Sequence, residues 1–468
     1  MNPSRPMKIQ YKEIPWRDPF DTYVLLKGDE PSFLLESLGG VIKTSRYSFI
    51  GINPSMIIKS KGRDIKIMRL HDTESGQGDP LIMIRRIIEE RRCMNEEGLP
   101  PFVGGMAGYL GYDVIRLFER LPHPAQDDLN VPDIFLMVMD TIVAFDHIEK
   151  KGWIIVAPDE KDPYCDRYME RIEEIEQRIR CGKRILNPGR CDLKVKIVSN
   201  LSRRGYVDMV KRCKEYIASG DIFQANLSQR LSAYIGGIDP LKIYRILRGV
   251  NPSPFSAFID AGDMQIVSSS PERLVRFHRG LVETRPIAGT RPRGKNEVEN
   301  RRLRKSLLGS EKERAEHIML LDLERNDLGR VCRYGSIEVD EFMVLESYSH
   351  VTHIVSNIVG EIGPGRDAID IIKAVFPGGT ITGVPKVRCM EIIDELEPTA
   401  RGPYTGSIGY ISYTGDMDFN IIIRSFIIKD GWAHVQVGAG IVADSDPDRE
   451  YMETLYKAEA LLKTLELV

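Results

Sequence analysis

Along residues 8–60, short apolar runs alternate with turn residues, a pattern of β structure with a helix or two. Residues 32–37 and 45–51 read as strands or strand ends with polar tips. From 81 to 93 the period becomes helical, with Ile82, Ile84, Ile87 and Ile88 on the inward face. The glycine-rich run 102–112 fits no G-x-G-x-x-G or Walker pattern, so close strand packing explains it better. Residues 133–140, 141–146 and 152–157 read as successive strands. A loop at 157–163, a charged helix at 164–180 and a turn at 187–190 then mark a break. The chain therefore divides into 8–157, a linker with a helix at 158–199, and a second unit over 200–462.

The second unit holds more unusual patterns. A helix at 206–218 leads into a strand at 221–230, where Gln224, Asn226 and Ser228 alternate with Phe223, Ala225 and Leu227. A polar face on a core strand must be hydrogen-bonded, to protein or to ligand. The basic run 301–305 is flanked by Glu297, Glu299, Glu311 and Glu313 and reads as a solvated helix. A strand at 349–356 puts Ser349, Val351 and His353 on one face. A Gly/Pro loop at 377–386 runs into a helix at 387–396 whose N-terminus could hold an anion. Strands follow at 407–413, 419–426 and 432–440, and Arg424 in the second of these needs a partner because a lone buried charge is costly.

Two helices stand out for their carboxylates. Residues 311–330 begin with Glu311 and end at Gly329, with Ile318, Leu320, Leu321 and Leu323 as the buried surface. Glu313 and Glu316 are three apart and share a face. Near the C-terminus, 449–460 repeats the arrangement with Glu450 and Glu453, and Lys457 continues that face. An isolated Glu-x-x-Glu is ordinarily a solvated face. Two of them facing one another could offer oxygen ligands to a hard cation, Mg²⁺ above all. Arg424 and Lys457 opposite four carboxylates then suit a small dianion bridged through a metal.

Composition changes this picture little. With 42% hydrophobic and 28% charged residues in 468, the chain is an ordinary globular one of two or three units. A net charge of −3 argues against a general nucleic-acid partner. The seven cysteines form no C-x-x-C pair and read as reduced thiols of a cytoplasmic protein. The first residues lack the apolar core of a signal peptide, and no apolar run is long enough for a membrane span.

Several stretches resemble the chorismate-utilising enzymes: Pro286-Ile-Ala-Gly-Thr290, the Arg-Ala-Glu-His and Asp-Leu-Glu-Arg-Asn-Asp-Leu-Gly-Arg segments of 314–330, and Phe376-Pro-Gly-Gly-Thr-Ile-Thr-Gly-Val-Pro-Lys386. So do Ile392-Ile-Asp-Glu-Leu-Glu-Pro398 and Gly438-Ala-Gly-Ile-Val-Ala-Asp-Ser445. The resemblance implies an α+β fold, an antiparallel β-sandwich with helices packed outside and the site between the sheets. It implies that Glu316 and Glu453 bind Mg²⁺, with Glu313 and Glu450 alongside. Arg424, Tyr404, Gly438, Ala439, Gly440, Gly289 and Thr290 would position chorismate, with Lys457 and Thr380 close by. Glu272 would be the general acid for the departing ring hydroxyl, a role for a carboxyl kept protonated by its surroundings. His353 would sit near the enolpyruvyl side. Gln224 stands where relatives that add water carry a lysine base, and so implies ammonia as nucleophile.

Ammonia would come from a separate glutamine amidotransferase subunit, giving a heterodimer. Two branches differ in product. The segments 14–20, 223–230, 254–258 and 406–410 look like the aminodeoxychorismate synthase branch, which aminates C4 and leads to 4-aminobenzoate and folate. Ala288 instead matches the anthranilate synthase branch, which aminates C2 and expels pyruvate, since many members of the other branch carry a nucleophilic lysine there. The reading taken from the sequence is the C4 branch, with the anthranilate branch as the alternative. A non-catalytic subunit that binds an amidotransferase or tryptophan is the alternative of another class. Ser37, with Pro254, Phe255 and Ser256, resembles the family's tryptophan pocket.

Overall fold

The computed structural model describes residues 9–40, 43–69, 71–122, 124–157, 167–182, 195–347 and 351–468. The loop expected after 157, the start of the helix at 164, the turn at 187–190, Ser349 and Cys165 and Cys191 lie outside these residues. Among the described residues are two antiparallel sheets of twelve strands each. The first runs from Gln10–Pro15 at one edge to Ile197–Ser199 at the other. The second runs from Ile287–Pro292 to Asp72–Gln77. Each sheet mixes early and late segments: Ser32–Glu36 pairs with Phe255–Asp260 in one, and Gly105–Leu110 with Ser407–Ser412 in the other. The break at 158–199 thus divides the sequence but not the sheets.

Apolar side chains from both sheets make the inner core, among them Phe33, Phe49 and Ile259 from one and Met106, Phe135 and Ile411 from the other. The outer face of the first sheet buries Val143, Ile154, Val267 and Val435 against the helices Pro19–Leu26, Tyr168–Cys181, Pro240–Val250 and Pro447–Glu466. This double burial is why so many strands read as continuous apolar runs rather than alternating ones. It is an α+β sandwich with its helices outside. The glycine-rich segment packs as its composition suggests. A Cβ on Gly108 would stand 2.0 Å from the Phe135 carbonyl oxygen, so only glycine permits that strand spacing.

The position of the site follows from a ribbon that changes sheet. Met264–Ser270 pairs with Ser425–Lys429 in the first sheet, while the adjoining Arg273–His278 pairs with Met417–Asn420 in the second. The crossing segments are therefore 271–272 and 421–424. The expected strand over 419–426 is really two, because a strand that passes from one packed sheet to another must bend at the corner. Arg424 takes up that bend with φ 51°, a left-handed conformation unusual for a side-chain-bearing residue.

Other expectations shift in detail. The helix expected over 81–93 is Pro80–Glu90, capped by Asp79 with proline in its first turn. It buries Ile84, but Ile82 points to solvent. On the helix Glu311–Gly329, capped by Ser310, Leu320 and Leu321 are buried with His317, whereas Ile318 is exposed. On the polar strand Gln224–Tyr234, Phe223 just before it is exposed instead of facing inward.

Candidate active site

Between the sheet corner and two helix N-termini, the fold gathers most of the residues singled out by the sequence. Glu272 sits in one sheet crossing and is 7% exposed. Burial pushes its carboxyl up to about 7, against the pull of Thr380, Arg424 and Lys457. The Thr380 hydroxyl approaches it at a geometry short of a full hydrogen bond. Near neutrality this group holds a proton for part of the time, as a general acid requires.

Arg424 lies in the other crossing. Its guanidinium makes no ion pair or side-chain hydrogen bond among the described residues, and burial lowers its pKa, opposed only by Glu272. The partner its sequence position demanded is therefore absent among the described residues. A half-buried arginine facing an acid that is only partly ionised calls for an external anion.

His353, on the strand Val351–Glu361, is 5% exposed, and Thr290 Oγ1 lies 2.9 Å from its Nδ1. Burial, then the Arg424 charge, bring its pKa down to about 4, so the ring is neutral at physiological pH. Gly289 and Thr290 lie on the facing strand Ile287–Pro292, which bulges there. A Cβ on Gly289, which has φ +69°, would meet Glu313 Oε2 at 2.9 Å. The central helix thus lies close above this strand.

On the opposite side stands the polar strand. Gln224 Nε2 donates to Glu316 Oε1 at 3.3 Å. Gln224 Oε1 and Asn226 Oδ1 are buried without a partner. Gly438, Ala439 and Gly440 pair with Ser228, Leu227 and Asn226 on the neighbouring strand. A Cβ on Gly438 would come within 2.3 Å of Asn226 Oδ1 and 2.9 Å of the Tyr404 hydroxyl, and one on Gly440 within 2.6 Å of Gln224 Nε2. These glycines keep a polar surface uncovered. Buried polar atoms left unpaired by the protein itself are candidates for a ligand's partners.

The four glutamates occupy the first two turns of two helices, Glu313 and Glu450 in the first turn and Glu316 and Glu453 in the next. Glu313 pairs with Arg291 at 2.9 Å, and Glu453 with Lys457 at 2.8 Å. Lys457 also donates to the Gly438 carbonyl at 2.9 Å. Burial and then the charges of Glu313 and Glu453 raise Glu316, which shows that these carboxylates face one another. Glu450 is likewise raised by burial, with Glu453 adding to the effect. Among the described residues no three His, Cys, Asp or Glu side chains converge into a closed metal shell. The donor set is all carboxylate and mutually repelling, which fits a hard, partly hydrated cation such as Mg²⁺.

The structure adds a support that the sequence did not reveal. Arg401 and Glu397 form a buried pair, with side chains 1% and 3% exposed. Arg401 Nη2 also donates to the Asn226 carbonyl at 2.7 Å and Nη1 to that of Ile381 at 2.9 Å. Glu397 Oε1 accepts from Ser228 N at 2.8 Å. The pair ties the polar strand to the loop carrying Thr380. The only sequence signal was Glu397 inside a matched motif.

Ser37, Pro254, Phe255 and Ser256 line a separate cavity of about 590 Å³, with Arg273, Tyr410 and Asn420. It shares no residue with the cluster above, although Arg273 adjoins Glu272 in the chain. The five described cysteines, 93, 181, 213, 332 and 389, are unpaired. Among the described residues no helix is long and apolar enough to cross a membrane.

A sandwich with carboxylates, an unpaired arginine and a buried acid at its corner defines a class that comparison identifies. The chorismate binding enzyme family matches residues 30–463, and the chain belongs to that family. It is similar to anthranilate synthase component 1 of Acetivibrio thermocellus, 44% identical over 93% of this chain and 90% of that protein. It is also similar to aminodeoxychorismate synthase component 1 of Bacillus subtilis, 46% identical over 93% and 91%. The solved anthranilate synthase component I from Streptococcus pneumoniae matches with a TM-score of 0.80 and 36% identity, over 89% of this chain and 92% of that one. The protein is thus a chorismate-utilising enzyme of the anthranilate and aminodeoxychorismate synthase component I group.

The expectation of C4 amination is overturned by these comparisons. Anthranilate synthases from six further organisms match at 42–44% identity, and the solved structure is of the same kind. Of the segments that favoured the other branch, two contribute to packing: Phe258 is core, and 406–410 enters an inner strand.

Proposed function

We propose that this chain is the chorismate-aminating component of an anthranilate synthase. Ammonia from a glutamine amidotransferase subunit adds at C2, the ring hydroxyl leaves, and pyruvate is then expelled to give anthranilate. The observation that carries this reading is the contact of Gln224 with Glu316. An amide at that place cannot take a proton from water, so the nucleophile must be one that needs no base. Ala288, 8% exposed, offers no nucleophile of its own, which leaves ammonia to supply the nitrogen.

Chorismate is a dianion. Arg424, without a partner among the described residues, is suited to one carboxylate. Glu316 and Glu453, with Glu313 and Glu450 alongside, are suited to hold Mg²⁺, which when bound would neutralise the ring carboxylate. Tyr404, Gly438, Ala439 and Gly440 would line the ring, and Thr380 and Lys457 would flank it. Glu272 gives its proton to the hydroxyl oxygen, which departs as water as the C–O bond breaks. The new ammonium at C2 loses a proton. Loss of the C2 proton as the C3–O bond breaks then makes the ring aromatic, and the enolpyruvate released takes up a proton to become pyruvate. His353, neutral and held by Thr290, sits on that side. The cavity at Ser37 and Pro254–Ser256 has room for an amino acid, and tryptophan is the ligand suggested by the resemblance.

Purified chain with chorismate, Mg²⁺ and an ammonium salt at alkaline pH should form fluorescent anthranilate with one pyruvate per turnover. A product that keeps the enolpyruvyl group would overturn the reading. No turnover would revive the non-catalytic subunit.

A further inference from the structure

The polar strand carries two acceptors that its surroundings leave unused. Gln224 and Asn226, 4% and 8% exposed, lie two residues apart on Gln224–Tyr234 and so share one face. Gln224 Nε2 is engaged by Glu316 Oε1, which fixes the amide and turns its own oxygen the other way. Gln224 Oε1 and Asn226 Oδ1 are both buried with no hydrogen-bond partner among the described residues. The Asn226 backbone is held from two sides: its N–H donates to the Thr382 carbonyl at 2.8 Å, and its carbonyl accepts from Arg401 Nη2 at 2.7 Å. The side chain thus starts from a fixed root.

Donors nearby are already committed. Arg401 serves Glu397 and the Asn226 and Ile381 carbonyls, and Lys457 serves Glu453 and the Gly438 carbonyl. A buried oxygen without a donor destabilises the fold, so two of them on one face mark the place of a molecule that brings N–H or O–H bonds. An anion is excluded there, because both atoms are acceptors. The neighbouring strand also lies close. A Cβ on Gly438 would stand 2.3 Å from Asn226 Oδ1, and one on Gly440 2.6 Å from Gln224 Nε2. Oxygens enclosed in this way suit a molecule with one heavy atom better than the edge of a ring. The amides are uncharged as well, so they accept from ammonia without favouring ammonium as a carboxylate would. That matters because the nitrogen of ammonium has no lone pair left to react.

We propose that Gln224 Oε1 and Asn226 Oδ1 form an ammonia subsite, each accepting an N–H so that the lone pair is directed at C2 of chorismate. The proposal deepens the reading of ammonia as nucleophile and rests on it. The lone pair forms the C2–N bond, and the displaced electron pair leaves with the ring hydroxyl, which takes the Glu272 proton and departs as water. The nitrogen becomes positive in that step while its N–H bonds stay intact. Both amide oxygens then accept from a cation, a stronger hydrogen bond than the one to neutral ammonia. The pair therefore stabilises the transition state more than it stabilises the bound nucleophile.

The test is steady-state kinetics of the full chain with Mg²⁺, varying free ammonia at saturating chorismate and chorismate at saturating ammonia. Asn226→Leu, close in volume but without the oxygen, should raise KM for ammonia roughly three- to tenfold and lower kcat, with KM for chorismate within about twofold. Asn226→Ser, which restores a shorter acceptor, should return part of the loss. Should Asn226→Leu not fold, Asn226→Ala removes the same oxygen with less bulk and carries the same expectation. A rise confined to KM for chorismate would mean that the oxygen meets a chorismate hydroxyl. A fall in kcat with both KM values unchanged would mean a packing residue or a bound water. Either result overturns the proposal, as do unchanged kinetics. In the unmodified chain, a rate that stays proportional to free ammonia without saturating overturns it with no variant at all. A product other than anthranilate sinks the assignment of C2, while the ammonia dependence still judges the subsite.

Discussion

The backbone amide of Ile421 donates to the carbonyl oxygen of Glu272 at 3.0 Å. This bond joins two segments that each pass from one sheet to the other, and it sets the acid and Arg424 into one corner. Separately, each crossing would be a bend. Joined, they become a frame that holds a partly protonated carboxyl and a guanidinium without an ion pair among the described residues.

Arg424 should be costly to the apo protein and necessary to the reaction. Arg424→Gln removes a half-buried charge that has no ion-pair partner among the described residues. The variant should melt slightly higher than the parent, while KM for chorismate rises on the order of tenfold to a hundredfold, as for loss of a charge-assisted contact worth about 1.5–3 kcal/mol. Calorimetry and steady-state kinetics check the two halves. A lower Tm with unchanged KM would mean the guanidinium is structural.

Glu316 faces both Gln224 and its fellow carboxylates. Replacing Glu316 with Gln should lower kcat/KM for chorismate on the order of a hundredfold and weaken Mg²⁺ binding measured by calorimetry. Unchanged turnover across a magnesium titration would remove Glu316 from the metal site.

Removing one partner of the Arg401–Glu397 pair leaves the other buried and uncompensated, at a cost of about 3–5 kcal/mol. Arg401→Met should therefore lower the denaturation midpoint strongly. The double change with Glu397→Met should recover part of the loss, because no lone charge remains. Urea unfolding of the three variants decides this. Equal destabilisation by the single and double changes would show that the contacts to Asn226 and Ile381, and not the charge balance, hold the region.

Acid should unfold this protein in a window set by its histidines. Burial brings His317, His353 and His434 down to about 4, against an ordinary value of 6.5. Each binds fewer protons folded than unfolded between those values, so stability falls as pH drops from about 6.5 to 4. Among the described residues His317 is held through Nε2, 2.6 Å from Ser356 Oγ, and its Nδ1 has no partner. His317→Gln should flatten that part of a Tm-against-pH curve. A slope unchanged by the substitution would assign the acid sensitivity elsewhere.

The sequence by itself determined the two glutamate pairs, because helical spacing of three places side chains on one face whatever the surroundings. It determined most strands as well, and through long motifs it determined the family. It exposed Gln224 and Asn226 as a polar face that had to be satisfied. Periodicity could not show that residues 419–426 change sheet, because each half reads as a good strand and the bend belongs to the packing of two layers. Arg401 passed unnoticed for a similar reason: in its loop it looks like one more charged residue, and the carbonyls of Asn226 and Ile381 that it engages come from elsewhere in the chain. Local pattern fixes which groups a helix or strand presents. Only the tertiary structure decides which of them lose their water, and desolvation is what turns an ordinary glutamate into an acid that keeps its proton.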